Sequence, residues 1–414
     1  MISTAFLLVV LATAAPAPTE PVDAMLARVQ ALIARKDFAG AEALAQAAVQ
    51  RFPRSRTARS TLAWAALWNA DYATARRLFR ELLATWRDDA AARLGLAQAE
   101  YWDGDLRAAR RDFAEVLRLD PHNADARRSL TEIDAATRPG FVLDGDALSD
   151  DQPYRSTAVR ATVYGFVDPV TKWVVTGSAA SLKSEAAADF GAGVETTRQQ
   201  VTVRGRARLF RFPDGERQLL PSAEVQRAFG STTVALTADR HELLRAAPAL
   251  ASHPSATSVA VRWAREGEQH VQFAVHAERL RYFDGNAGAG ADAYVLVPWH
   301  RFSAGASAAW RDTDQSRFNG AVYDPYYTPQ DLREVRLIVA ARWQMPHATL
   351  DLHLDGGAAR DRLGAATRSF HPWRAALSAG VPLPGGLTLS LRGEHNVSVY
   401  YTANEFQTSV AGRF

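Results

Sequence analysis

The sequence predicts a two-part α + β chain, an N-terminal all-α solenoid followed by an antiparallel transmembrane β-barrel. Three observations predict it. Helical segments recur with a period of 34 residues through the first third of the chain. Long segments of apolar/polar alternation fill most of the remainder. The last of these segments closes on a terminal phenylalanine, Phe414.

The chain opens MISTAFLLVVLATAAPAPTEP, with an apolar run from Ala5 to Ala12 followed by small residues. Residues 1–17 read as a signal peptide cleaved after Ala15 or Ala17, which sends the chain out of the cytoplasm. No later stretch approaches the 18 or more apolar residues of a membrane helix. With 414 residues, 47% of them apolar, the chain is long enough for two or three domains and too apolar for global disorder. A formal charge of +3 gives no electrostatic case for a nucleic-acid partner. The absence of cysteine removes disulfides, thiolate nucleophiles, cysteine zinc sites and a lipoprotein anchor.

Residues 22–135 carry the repeat. DFAGAEALAQAAVQRFP, DYATARRLFRELLATWR and DLRAARRDFAEVLRLDP begin at Asp37, Asp71 and Asp105. Their helix-turn-helix patterning at a 34-residue spacing is the tetratricopeptide signature. Ala41, Ala75 and Ala109 permit close helix packing, and Pro53 and Pro121 stop the second helix of a pair. Arg87 holds the equivalent place in the middle copy, and Leu62 and Leu96 repeat in the first helices. About three repeats make a minimal stable array, and such arrays bind many unrelated protein partners.

After Arg138-Pro139-Gly140 the texture changes, and the acidic stretch LDGDALSDDQP places a linker at 136–156. From 157 to 414 the alternation is that of strands. In QQVTVRGRARLFRF, Val201, Val203, Gly205, Ala207 and Leu209 share one face; Thr202, Arg204, Arg206 and Arg208 share the other. HATLDLHLDGG, REVRLIVAARW and GLTLSLRGEHN repeat the pattern. Charged polar faces, bilayer-length segments and aromatics near segment ends favour a lipid-facing barrel over a soluble sandwich. The expected count is about 14 strands, with 12 to 16 open. LLPSAEVQRAFG and DAYVLVPWHRFSAGASAAWR are the ambiguous segments.

Chemistry is sparse. His347, Asp351 and His353 fall on one strand face, but a lumen-facing strand produces that pattern without a metal. His395, Asn396 and Ser398 have the residue types of a barrel phospholipase, yet alternation puts His395 on the opposite face from Asn396 and Ser398. GNAGAGAD, 285–292, lacks the lysine and the strand-turn-helix context of a phosphate loop and reads as a surface loop. No catalytic, cofactor-binding or metal-binding set is assigned, and no enzyme activity is expected. The polar-face arginines Arg204, Arg206, Arg208, Arg262, Arg336, Arg342 and Arg392 are candidates for a lumenal guide. Tyr323, Tyr326 and Tyr327, in VYDPYYTPQDL (322–332), are candidates for stacking on a sugar or for a membrane girdle.

A signal sequence, tetratricopeptide repeats and a barrel ending in phenylalanine resemble the exopolysaccharide-export proteins of the cellulose and poly-N-acetylglucosamine systems. Tyr326-Tyr327-Thr328-Pro329-Gln330 is similar to a Tyr-Tyr/Phe-Ser-Pro-Gln segment in the cellulose exporter barrel, with Thr328 keeping the hydroxyl. The length also resembles the smaller YaiO-like barrels. The resemblance implies a Gram-negative outer-membrane location and a repeat module in the periplasm that recruits a protein partner. It further implies Phe414 as a signal to the barrel-assembly machinery, outer-membrane lipid around the barrel, and an exopolysaccharide as cargo. A scaffold without transport and a lipid-modifying barrel enzyme are the alternatives.

Overall fold

The computed structural model describes residues 21–151, 154–243, 252–265, 267, 270–318, 326–398 and 400–414. Residues 1–17 and Tyr323 lie outside the described residues. The helical part contains α1 (Val22–Ala34), α2 (Phe38–Arg51), α3 (Arg56–Trp68) and α4 (Tyr72–Thr85). It continues with α5 (Ala90–Trp102), α6 (Leu106–Leu119) and α7 (Ala124–Ala136). Helices α2, α4 and α6 start 34 residues apart, as do α3, α5 and α7, so the sequence period is a period of helical hairpins.

Local chemistry sets these helix starts. Asp37 caps α2 by accepting from the Gly40 amide at 3.0 Å, and Asp71 caps α4 from Thr74 at 3.1 Å. Ser55, Asp89 and Asn123 do the same for α3, α5 and α7, each satisfying an amide that the helix leaves without an internal partner. Ala41, Ala75 and Ala109 are fully buried, as the packing argument requires. Gly95 is there because a Cβ would lie 2.2 Å from the buried Phe79 ring. The hairpin contact leaves no room for one.

One part of this core is charged. Glu100 on α5 is 1% exposed; it accepts from Arg80 at 3.0 Å, while Arg93 binds Asp112 at 3.1 Å.

The barrel starts earlier than the alternation suggests. Strands β1 (Gly140–Asp150), β2 (Arg155–Asp168), β3 (Thr171–Leu182) and β4 (Glu185–Arg198) form its first quarter. Then come β5 (Val201–Arg211), β6 (Arg217–Phe229), β7 (Thr232–Glu242), β8 (Ser255–Arg265) and β9 (Gln272–Tyr282). β10 (Ala287–Trp299), β11 (Phe302–Thr313), β12 (Leu332–Met345) and β13 (Ala348–Leu363) follow. β14 has two segments, Ala366–Phe370 and Trp373–Leu383, which pair successively with β13 around the break at His371-Pro372. β15 (Leu387–Val397) and β16 (Thr402–Arg413) end the chain.

All neighbours are antiparallel, and β16 pairs with β1 from Gly140↔Arg413 to Asp150↔Ala403, closing the sheet. The barrel therefore has 16 strands, which corrects the expected 14. The segment read as a linker is also corrected, since most of it is β1. Asp144 and Asp146 made it look solvated, but they line a cavity on the barrel wall, a place where a strand tolerates carboxylates. The two ambiguous segments are β6 and β10–β11. GNAGAGAD is a turn running into β10 rather than a surface loop.

The outer face follows the pleat. Val163, Phe190, Leu236 and Leu337 are exposed, 42–71% each, between inward polar positions. Trp173, Trp263, Trp299, Trp310 and Trp373 are exposed large aromatics, of the kind that settle at a membrane–water boundary. At the end carrying both barrel termini, most turns are two or three residues long. The opposite, distal end carries the longest connection, 314–331 between β11 and β12.

A pH dependence follows for the helical part. Burial first, and the adjoining Asp112 second, push the Glu100 carboxyl up to about 7 against the pull of Arg80. The fold thus holds a proton that the unfolded chain releases near its ordinary 4.5. Folded-state proton binding exceeds unfolded-state binding between those values, so stability is full below the lower one and falls as pH rises through the upper one. Denaturant titration of the full chain in detergent, followed by the helical signal, should show a midpoint that drops between about pH 4.5 and 7. Glu100→Gln should flatten that drop.

Candidate functional site

The lumen wall is built by the inward positions of the alternating strands. On β5, Arg204 binds Glu195 of β4 at 2.9 Å and also reaches Glu224 of β6. Arg208 holds Glu242 through both terminal nitrogens, at 3.3 and 2.7 Å, and Asp189 at 3.1 Å. On β12, Arg336 binds Glu334 and, at 2.7 Å, Asp355 of β13. Arg342 binds Asp351, and Arg392 binds Glu394 at 2.6 Å. Arg206 and Arg262 project as exposed side chains from β5 and β8.

The seven arginines proposed from sequence lie on inward positions, and at least five of them are held by carboxylates. They form a ladder of neutralised pairs, which is a different surface from a bare cationic wall. The sequence cannot show this, because each partner comes from a neighbouring strand or from a register that only the sheet defines.

Asp355 is the densest node. Its carboxylate, 2% exposed, accepts from Arg336, from Arg374 of β14 at 2.7 Å and is 2.9 Å from His353 Nε2. Arg374 was missed from sequence because the break at His371-Pro372 hides the alternation Arg374, Ala376, Ser378. Beside this node two cavities of about 570 and 590 Å³ follow the wall, sharing Asp351, Ser378 and Arg392 among their lining residues. Hydroxyls fill the intervals between ion pairs: Thr162 with Thr176 at 2.7 Å, and Ser178 donating to Asp189 at 2.7 Å.

At the distal mouth the tyrosine segment is fastened in place. Tyr326, 3% exposed, stacks on Tyr282 of β9 with ring centroids 4.3 Å apart and 18° between planes. Its hydroxyl donates to both oxygens of Asp284, at 2.8 and 2.9 Å. Burial alone would raise the Asp284 carboxyl, but that hydroxyl, the Asn286 amide and Arg317 hold it below the usual carboxylate range. Thr328 is fully buried, and its hydroxyl oxygen accepts from the Arg317 amide at 2.6 Å. Thr313 donates to the Pro329 carbonyl at 2.9 Å, and the Gln330 amide donates back to the Thr313 carbonyl at 3.2 Å.

The two candidate tyrosines therefore differ. Tyr326 is spent on clamping the loop and offers no free ring face. Tyr327 is 38% exposed and meets Tyr400 edge-on at 4.7 Å. Tyr400 also lies under Arg368, whose guanidinium binds the buried Asp361 at 2.6 Å.

Several of the other groups weighed from sequence are occupied. Asp351 and His353 engage Arg342 and Asp355, and among the described residues no cluster of three His, Asp or Glu is placed to hold a metal ion. His395 Nδ1 lies 2.8 Å from Asn404 and its ring packs on Trp373, whereas Ser398 donates to the Tyr401 carbonyl within a turn. His395 and Ser398 are not brought together.

No protein-family model and no curated protein sequence matches the chain. Among solved structures it is similar to a bacterial polysaccharide outer membrane secretin, with a TM-score of 0.56 at 11% identity, over 67% of this chain and 99% of that one. OccK3 (OpdO) of Pseudomonas aeruginosa matches with a TM-score of 0.39 at 10% identity, over 67% of this chain and 95% of the other. At such identities the first likeness speaks for fold alone, and the second carries no argument. The fold is an outer-membrane-type β-barrel.

Asp355→Asn should leave Arg336 and Arg374 facing each other without a shared carboxylate. The expected cost is about 3 kcal/mol, read as a lower temperature for the conversion of the compact to the unfolded gel band. Adding Arg374→Gln to that variant should recover part of the loss, because it removes the guanidinium that lost its carboxylate, whereas Arg336 keeps Glu334.

Proposed function

We propose that the barrel is a conduit for a neutral or weakly charged polysaccharide, and that the helical part is a tetratricopeptide module recruiting a periplasmic protein. The observation that carries this reading is the neutralised lumen wall. A sugar polymer needs closely spaced donors and acceptors with no deep electrostatic well, so that each contact is made and released at small cost. Arg–carboxylate pairs separated by serine and threonine hydroxyls supply such a wall. Bare arginines would instead trap a polyanion. A barrel of 16 strands is wide enough for an aqueous channel. The name of the polysaccharide secretin agrees with this reading. No catalytic step is part of it.

A scaffold reading, in which the barrel only anchors the repeat, is favoured by the fastening of the distal loop through Tyr326. In planar bilayers the full chain should conduct, and added neutral oligosaccharides should reduce the current. Tyr326→Ala should raise the conductance by releasing the loop. A silent wild type that remains silent after deletion of 316–330 would leave the scaffold.

A further inference from the structure

Outward arginines collect at the distal end of the barrel and oppose each other across neighbouring strands. Arg211 of β5 lies directly opposite Arg217 of β6. Arg333 of β12 lies opposite Arg360 of β13, with Arg362 two residues further along. All five are exposed, and the register puts the two opposed pairs on the face of Leu209, Leu219, Val335 and Leu337, the lipid face. Arg279 and Arg281 of β9 are exposed on the same side, beside the small residues Thr257, Ala287 and Ala289.

Such pairing is costly by itself. Like charges directly opposite on adjacent strands sit with Cβ atoms about 5 Å apart and destabilise the sheet. Inside the lumen the same fold gives most of its arginines a carboxylate. Outside, Asp331 reaches Arg333 at 2.9 Å, among the described residues one carboxylate beside three guanidiniums. On the lipid face the cross-strand neighbours of Arg211 are Ala188 and Arg217. The hairpin between the paired arginines carries Asp214, bound to His253, and the exposed Glu216. At the other end of the barrel Arg227 lies over its neighbouring Phe229 ring, at 4.9 Å.

We infer that the distal arginine sets bind the phosphate groups of an anionic glycolipid in the outer leaflet, an inference resting on the outer-membrane reading. Two guanidiniums side by side offer parallel N–H donors that match phosphate oxygens, and the phosphate removes their mutual repulsion. The apolar strip directly beneath accepts the acyl chains of the same molecule. The charges sit where the apolar belt gives way to the distal loops, the level at which headgroups lie.

The test uses the full chain in detergent with three probes: diphosphorylated lipid A, the same lipid dephosphorylated, and inorganic phosphate. Native mass spectrometry should show at least about tenfold preference for the phosphorylated lipid, weakening as salt rises. Combined Arg211→Gln, Arg217→Gln, Arg333→Gln, Arg360→Gln and Arg362→Gln should abolish the preference while heat-modifiable migration persists; Arg227→Gln should leave it intact. Equal binding of both lipids by the wild type overturns the proposal without any variant having to fold. An unchanged preference in the five-fold variant also overturns it. Displacement of the lipid by equimolar inorganic phosphate would reassign the patch to free anions. Absence of heat-modifiable migration in the wild type would fail the barrel reading itself, a result distinct from a folded barrel indifferent to phosphate.

Discussion

Backbone amides in lipid find no water, so every strand between Gly140 and Arg413 must be paired on both sides. Pairing of β1 with β16 completes that requirement, matching the strands in register from Gly140↔Arg413 to Asp150↔Ala403. Closure fixes which side chains look inward, and with them the lumen. It also explains why a segment as acidic as β1 belongs to the sheet. Asp144 and Asp146 cost little where they face a wet interior, whereas Phe141 and Leu143 take the lipid side.

The inward wall depends on this register. Arg336, Arg374 and Asp355 come from three consecutive strands, and a shift of one residue in any of them would turn its side chain toward lipid. Charge neutralisation across strands is therefore a property of the lumen wall that depends on register. The outward arginines are the complement: where the lumen pairs charges within the protein, the distal outer face leaves guanidiniums side by side for a ligand that the membrane supplies.

The distal loop shows how a short recognition-like motif can be consumed by structure. Of the five residues Tyr326 to Gln330, the first is stacked and hydrogen-bonded, the third is fully buried, and the last two hold Thr313. Only Tyr327 keeps an exposed ring edge. Rings, prolines and a hydroxyl in sequence describe equally well a sugar platform and a loop clamp, because the difference lies in what Tyr282 and Asp284 do 40 or so residues away.

Periodicity was legible from the chain alone. The 34-residue spacing of Asp37 and Asp71 determined the helical hairpins, since caps and small contact residues act within a few positions of one another. Period-two alternation likewise determined the lipid and lumen faces of β5, β12 and β13, because the pleat is local. Strand number was not legible: β1 lacked a clean polar/apolar contrast, and His371-Pro372 split β14. Pairing of the arginines, the clamp on Tyr326 and the Arg–Arg oppositions on the outer wall were decided only by tertiary structure. Each depends on which residue of one strand stands beside which residue of the next, and hydrogen-bonded register carries that information where a linear pattern cannot.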